Sequence, residues 1–173
     1  MSQTSYALNL TASFAGMLAD GSTAHQVETR INAEASAEIP FGTFVVTGGS
    51  VGDAGAVLPS AGTTKLVLGP VVHSHAYSKG DNGELGTSGL KPKTVMNVLV
   101  RGRIWVLTET SVAVGDPVFV RYASGAGGTV LGRVRNATVS SEMIDLTTKA
   151  RFITSATVTS TPVLACIEVD MTA

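Results

Sequence analysis

Along Val95 to Leu107 apolar and polar positions alternate. Val98, Val100, Ile104 and Val106 share one side, and Leu99, Arg101, Arg103, Trp105 and Leu107 share the other. A period of two is the spacing of an extended strand, whose successive side chains point to opposite faces. It predicts a strand with one fully buried face. Gly102 interrupts the run and predicts a bend, bulge or tight turn, because a glycine inside a strand has no side chain to pack. Shorter runs of the same texture surround it: Ile39 to Val46, Lys65 to Val72, Val118 to Tyr122, Thr129 to Arg135 and Val163 to Val169, with weaker alternation over 151–161. Pro40 lacks an N–H and suits the start or edge of its strand. Gly48 to Gly62, Ser78 to Pro92 and Ser124 to Gly128 read as glycine-rich loops, and Thr110 to Pro117 as a turn. Many short strands between glycine turns predict an all-β fold, a compact barrel or sandwich.

Residues 1–36 have a different texture. Ser2 to Tyr6 is polar, Ala7 to Leu18 is alanine-rich with scattered apolar anchors, and Asp20-Gly21-Ser22 reads as a turn. Val27 and Ile31 sit four apart, which allows a short helix through Glu28-Thr29-Arg30. The expected organisation is an extended N-terminal arm over 1–36, followed by one β-domain over 37–173. The anchors Tyr6, Leu8, Leu10, Phe14, Met17 and Leu18 need a surface on which to dock, either the chain's own domain or a neighbour.

Composition narrows the function. Charged residues are 14% of the 173, against roughly 25% in an ordinary soluble domain. Interface cores are depleted in charge, so this points to subunit contacts. The formal charge of −1 provides no electrostatic footprint for nucleic acid or an anionic membrane. No apolar run approaches the roughly 20 residues that span a bilayer. The polar opening has no basic and apolar signal segment, so the expected compartment is reducing cytosol or a particle assembled there.

Candidate chemistry is sparse. The single cysteine, Cys166, lies in the apolar run Val163 to Ile167 and reads as a buried structural thiol. His73 and His75 have a metal-like spacing, but zinc takes four ligands, or three plus water, and no cysteine or acidic cluster adjoins them. The glycine clusters at Gly48-Gly49 and Gly125 to Gly128 do not end in the GK[ST] of a phosphate loop. No G-x-S-x-G elbow appears, and Glu142 with Asp145 reads as surface charge. No catalytic residue, cofactor or metal is therefore assigned. Arg101 with Arg103, and Arg133 with Arg135, recur two apart and so share faces. Together with Arg121 they suit interface salt bridges to acidic neighbours. Trp105 and Phe119 read as core or interface anchors. A carbohydrate-binding β-module is the alternative, although Tyr6, Tyr77, Tyr122 and Trp105 are few and scattered for stacking on sugars. A metal-dependent hydrolase centred on His73 and His75 is a third class.

The order of several segments adds a family. Ser2-Gln3-Thr4-Ser5-Tyr6 followed by Phe14 to Asp20 resembles the start of tailed-phage structural cement, or head decoration, proteins. Ile39-Pro40-Phe41-Gly42, Asn97 to Val106, Val114 to Val120 and Ala165 to Val169 are similar to later pieces of that family, in its order. The stretches Gly80 to Pro92 and Asn136 to Lys149 depart from its pattern. The resemblance implies a protein of the virion, on the outer surface of the phage head and assembled in the bacterial host cytoplasm. There it would clamp neighbouring major capsid proteins as a small homo-oligomer, a trimer first and a dimer second. Arg101, Arg103 and the six arm anchors are the expected contact residues, with no nucleic acid or membrane partner.

Overall fold

The computed structural model describes residues 13–19, 25–60, 65–74, 89–124, 130–139 and 141–172. Its longest element is the strand read from the alternation, β5 (Val95–Thr108). The first half of β5 pairs antiparallel with β1 (Gln26–Asn32), and its second half pairs antiparallel with β10 (Val163–Asp170). β1 meets β3 (Gly55–Val57) in parallel, β3 pairs with β2 (Phe44–Thr47), and β2 pairs with β4 (Val67–Pro70). Beyond the end of β5 come β7 (Val134–Arg135), β6 (Phe119–Arg121) and β8 (Met143–Asp145), while β9 (Ala150–Phe152) borders β10. Among the described residues all ten strands belong to one sheet that runs from β4 to β8 and does not close on itself. The fold is all-β, as expected. Among the described residues the sole helical element is the 3-10 turn Gly52–Ala54.

The helix allowed through Glu28-Thr29-Arg30 is instead strand β1, so the 1–36 segment contributes a full sheet strand next to the central one. Val27, Thr29 and Ile31 are β-branched at alternate positions, and such residues lose rotamer freedom in a helix but pack well on a pleated surface. The strand expected over Thr129 to Arg135 is shorter. Residues 131–132 form a turn, and among the described residues of that run only Val134–Arg135 is strand.

β5 does not have one buried face along its whole length. Gln26 faces Arg101 but Val27 faces Leu99, so Val100 is an extra residue without a partner in β1. Such a bulge reverses the side on which every later residue lies. Met96 and Val98 enter a smaller core with Ile39, Phe41, Val45, Ala56, Leu68, Val71 and Leu90. Leu99 enters the larger core, and after the bulge Ile104 and Val106 join it, with Phe44, Val118, Val120, Val134, Phe152 and Ile167. Neighbouring residues therefore serve opposite cores: Val98 and Leu99, Phe44 and Val45, Val71 and Val72. These three stretches form a wall buried on both sides, which explains their continuous apolar runs. Gly102 sits just past the bulge at φ 132°, and a Cβ there would lie 2.5 Å from Cδ2 of His25.

Candidate docking surface

Of the expected arm anchors, Tyr6, Leu8 and Leu10 lie outside the described residues. Phe14, Met17 and Leu18 belong to a segment, 13–19, laid along the second half of β5. Trp105 donates its backbone N–H to Met17 (2.9 Å) and accepts one from Gly16 (2.8 Å), while Ala19 N–H donates to the Arg103 carbonyl (3.0 Å). Ile104 is thus bracketed by Leu18 on one side and Ile167 on the other. Gly16 also accepts the His73 N–H at 2.8 Å. At φ 83°, a Cβ on Gly16 would fall 2.9 Å from both His73 N and Phe41 Cβ, so only glycine fits. The segment is fastened to its own domain by backbone hydrogen bonds, yet Phe14 remains 39% exposed, its ring 4.5 Å from that of His73. His73 also meets Phe41 at 4.5 Å, and His75 lies outside the described residues. Among the described residues no cluster of three or more His, Cys, Asp or Glu could hold a metal.

Arg101 and Arg103 share one face of β5, as their spacing requires, and both find partners within the chain. Antiparallel pairing places Arg103 opposite Glu168 and Arg101 opposite Asp170. Arg103 Nε lies 3.1 Å from Glu168 Oε1, Arg151 Nη2 lies 2.6 Å from Glu168 Oε2, and Arg101 Nε lies 3.5 Å from Asp170 Oδ2. Hydrogen bonding from Arg151 and Arg103 holds the Glu168 carboxyl below its ordinary value against a smaller opposing effect of burial. Asp170 is lowered chiefly by the Thr172 hydroxyl, with Arg101 and Lys149 contributing. Arg101, Arg151, Glu168 and Asp170 line an open cleft of about 520 Å³ together with Thr147 to Ala150. A smaller hollow adjoins it at Thr148 and Lys149 and carries Leu66, which is 61% exposed. The sequence carried a signal for the partners: Glu168 and Asp170 repeat the spacing of Arg101 and Arg103 with opposite sign. Strand register alone makes that signal usable.

Arg121 is placed differently. It points away from the larger core and is fully buried, its guanidinium shared between Glu109 (2.8 Å) and Glu142 (2.7 Å) and bonded to the Ala123 carbonyl (3.1 Å). Hydrogen bonding to Glu109 is the main cause that raises its pKa. Glu142 therefore serves this triad and is not paired with Asp145, whose carboxylate accepts the Thr147 N–H at 2.8 Å. Burial pushes the Cys166 thiol up to about 11, which keeps it protonated at neutral pH. Trp105 is half-buried and Phe119 buried.

The surface is thus built of paired charges, small clefts and scattered apolar side chains. A structural match confirms the architecture: a chain titled "The capsid of Myoviridae Phage XM1" superposes with a TM-score of 0.68 at 12% identity, covering 98% of this chain and 97% of that one. No curated protein matches the sequence. The family model described as structural cement protein (E217 gp24/Pam3 gp6) matches residues 2–169. Nearly every residue of the two-core sheet, from the segment fastened along β5 to the last strand, lies inside that match, and the chain belongs to the phage structural cement protein family.

Proposed function

We propose that this protein is a non-catalytic clamp of a phage head, located in the virion on the outer capsid surface. It binds neighbouring major capsid proteins there and holds the shell against internal pressure. The family match over residues 2–169 carries the reading. The chain ahead of Ser13 acts as the arm, with Tyr6, Leu8 and Leu10 as its anchors, and Phe14 continues that contact because it stays exposed where the segment is fastened down. A homotrimer is the proposed assembly, and the host cytoplasm the proposed place of assembly. A multivalent oligomer that bridges several capsomers gains avidity from effective concentration even when each contact is modest.

The test is the solution mass of the purified protein, by light scattering behind size exclusion, alone and mixed with heads that lack it. An oligomer that co-elutes with heads is the expected result. A monomer that passes them by would overturn the proposal. Removing residues 1–12 is expected to weaken head binding while leaving the melting temperature unchanged, because β1 and the 13–19 fastening remain.

A further inference from the structure

The chain folds one hydrogen-bonding scheme twice. Ile39 and Leu90 exchange both backbone N–H···O bonds, and so do Val112 and Ala156. Gly42 N–H donates to Val71, whose N–H donates to Thr43. Gly115 N–H donates to Phe152, whose N–H donates to Asp116. Both glycines have positive φ, 74° and 90°. Ala33 N–H donates to Ala56 as Glu109 N–H donates to Val134. The first set surrounds the smaller core and the second the larger one. Asn32 pairs in parallel with Ala56, and Thr108 with Val134, so β1 corresponds to the second half of β5. In that correspondence Thr29 matches Trp105 and Val27 matches Arg103.

The two matched strands differ in what lies on their outer edge. On β5, Trp105 N–H donates to Met17, its carbonyl accepts from Gly16, and the Arg103 carbonyl accepts from Ala19. The matching groups on β1 are the Thr29 N–H and carbonyl and the Val27 carbonyl. They point away from β5, because the Asn32 N–H bonds Thr94 and the direction alternates along a strand. On that side β3 reaches only Ile31 and Asn32. Among the described residues the three groups have no partner, and Val27 (38%) and Thr29 are exposed. An open strand edge is a template for another extended segment.

The two faces of β1 select the occupant. Val27, Thr29 and Ile31 form an uncharged face, and Glu28 pairs with Arg30 on the other. Residues 1–12, outside the described residues, carry the same two-sided pattern in sequence: Tyr6, Leu8 and Leu10 alternate with Ala7, Asn9 and Thr11. An added strand of that period sets its apolar side beside Val27, Thr29 and Ile31 and its polar side beside Glu28 and Arg30. The chain's own arm cannot bring Leu10 there. Gly16 is fastened at Trp105, and Thr29 lies opposite Asn97, eight residues back along β5, a span of about 26 Å. Leu10, six residues ahead of Gly16, extends at most about 22 Å from it, and the turn that bonds Met17 N–H to Phe14 shortens that reach. The arm of a second copy has no such limit.

We infer that residues 5–12 of a second copy add a strand to the β1 edge at Val27 and Thr29. This rests on the homo-oligomer of the clamp reading and names its contact. The test reads solution mass by light scattering and amide hydrogen exchange at Thr29, without heads, for the parent and for the protein lacking residues 1–12. The parent is expected to be an oligomer with a protected Thr29 amide. The truncated protein is expected to fall to the mass of one chain and to lose that protection, while the Glu28 amide, which faces β5, stays protected in both. A synthetic peptide of residues 2–12 is expected to restore protection at Thr29 in the truncated protein. An oligomer that survives truncation, or a Thr29 amide that exchanges freely in the parent, would overturn the inference. Loss of protection at Glu28 as well would show that β1 itself had opened and would overturn it too. A protected Thr29 in a monomer would assign the edge to the chain's own arm, and protection that appears only with heads would assign it to the shell protein; either result overturns the second copy as occupant. Co-sedimentation with heads is read separately: a parent oligomer that ignores heads overturns the clamp reading, while mass and exchange still decide this contact.

Discussion

Two clusters of this protein use the same chemistry, arginine against carboxylate, in opposite surroundings. On the β5–β10–β9 surface, Glu168 stands between Arg103 and Arg151, with side-chain exposures of 31%, 37% and 65%. Beyond the end of β5, Arg121 stands between Glu109 and Glu142, with side-chain exposures of 0%, 5% and 18%. Exposed ion pairs contribute only about 0–1 kcal/mol, because water competes and salt screens them. A buried pair costs several kcal/mol to desolvate per ion, so it persists only when its bonds are well formed, and it is costly to break. The buried cluster therefore controls stability, while the surface cluster fixes how three strands present their charges.

The strongest way to break this contrast is Arg121→Ala. It strands two carboxylates in a site that water scarcely reaches, and the expected loss is about 3–5 kcal/mol in urea unfolding. A loss below about 1 kcal/mol would place the triad with the surface pairs. Replacing Arg121, Glu109 and Glu142 together with Met, Leu and Leu is expected to recover most of that loss, because an apolar set of similar volume removes charges and desolvation at once. If the triple variant stays as unstable as the single one, the hydrogen bonds matter more than the charge burial.

Smaller effects sharpen the surface side. Glu168→Gln is expected to cost about 0.5–1 kcal/mol at low salt and almost nothing at 1 M salt, where the Debye length falls to roughly 3 Å. The Arg121→Ala loss should barely change with salt, and equal salt sensitivity of the two variants would dissolve the comparison. The acid limb is the smallest effect. Glu168 and Asp170 have lowered pKa values in the fold, so each contributes stability above its unfolded value, near pH 4, that is lost as pH falls through the folded value. Parent and Glu168→Gln melting curves should therefore approach each other below about pH 4. A gap that widens on acidification would show that Glu168 is not held ionised by Arg151 and Arg103.

Local chemistry was legible where a pattern is enforced by covalent geometry. The alternation over Val95 to Leu107 marks a strand because side chains alternate in any extended chain, and β5 is that strand. The final run Val163 to Val169 became β10 for the same reason. The helix allowed at Val27 and Ile31 failed because a spacing of four also fits a strand, where both residues lie on one face. Pairing with β5 decided between the two. Arg101 and Arg103 were legible as a shared face but not as partners of Asp170 and Glu168, since their separation along the chain is invisible to local spacing.

The sequence by itself determined the class of the fold, the near-neutral charge and the faces on which paired arginines lie, because these follow from residue type and a period of two. Only the tertiary structure decided the rest. The bulge at Val100 divides β5 between two cores, register sets Arg101 and Arg103 against surface carboxylates of the same chain, packing buries Arg121 against two more, and Arg133 and Arg135 keep buried donors that meet no acceptor among the described residues. Those outcomes depend on which distant strand lies alongside, and a shift of one residue in that pairing would exchange every face.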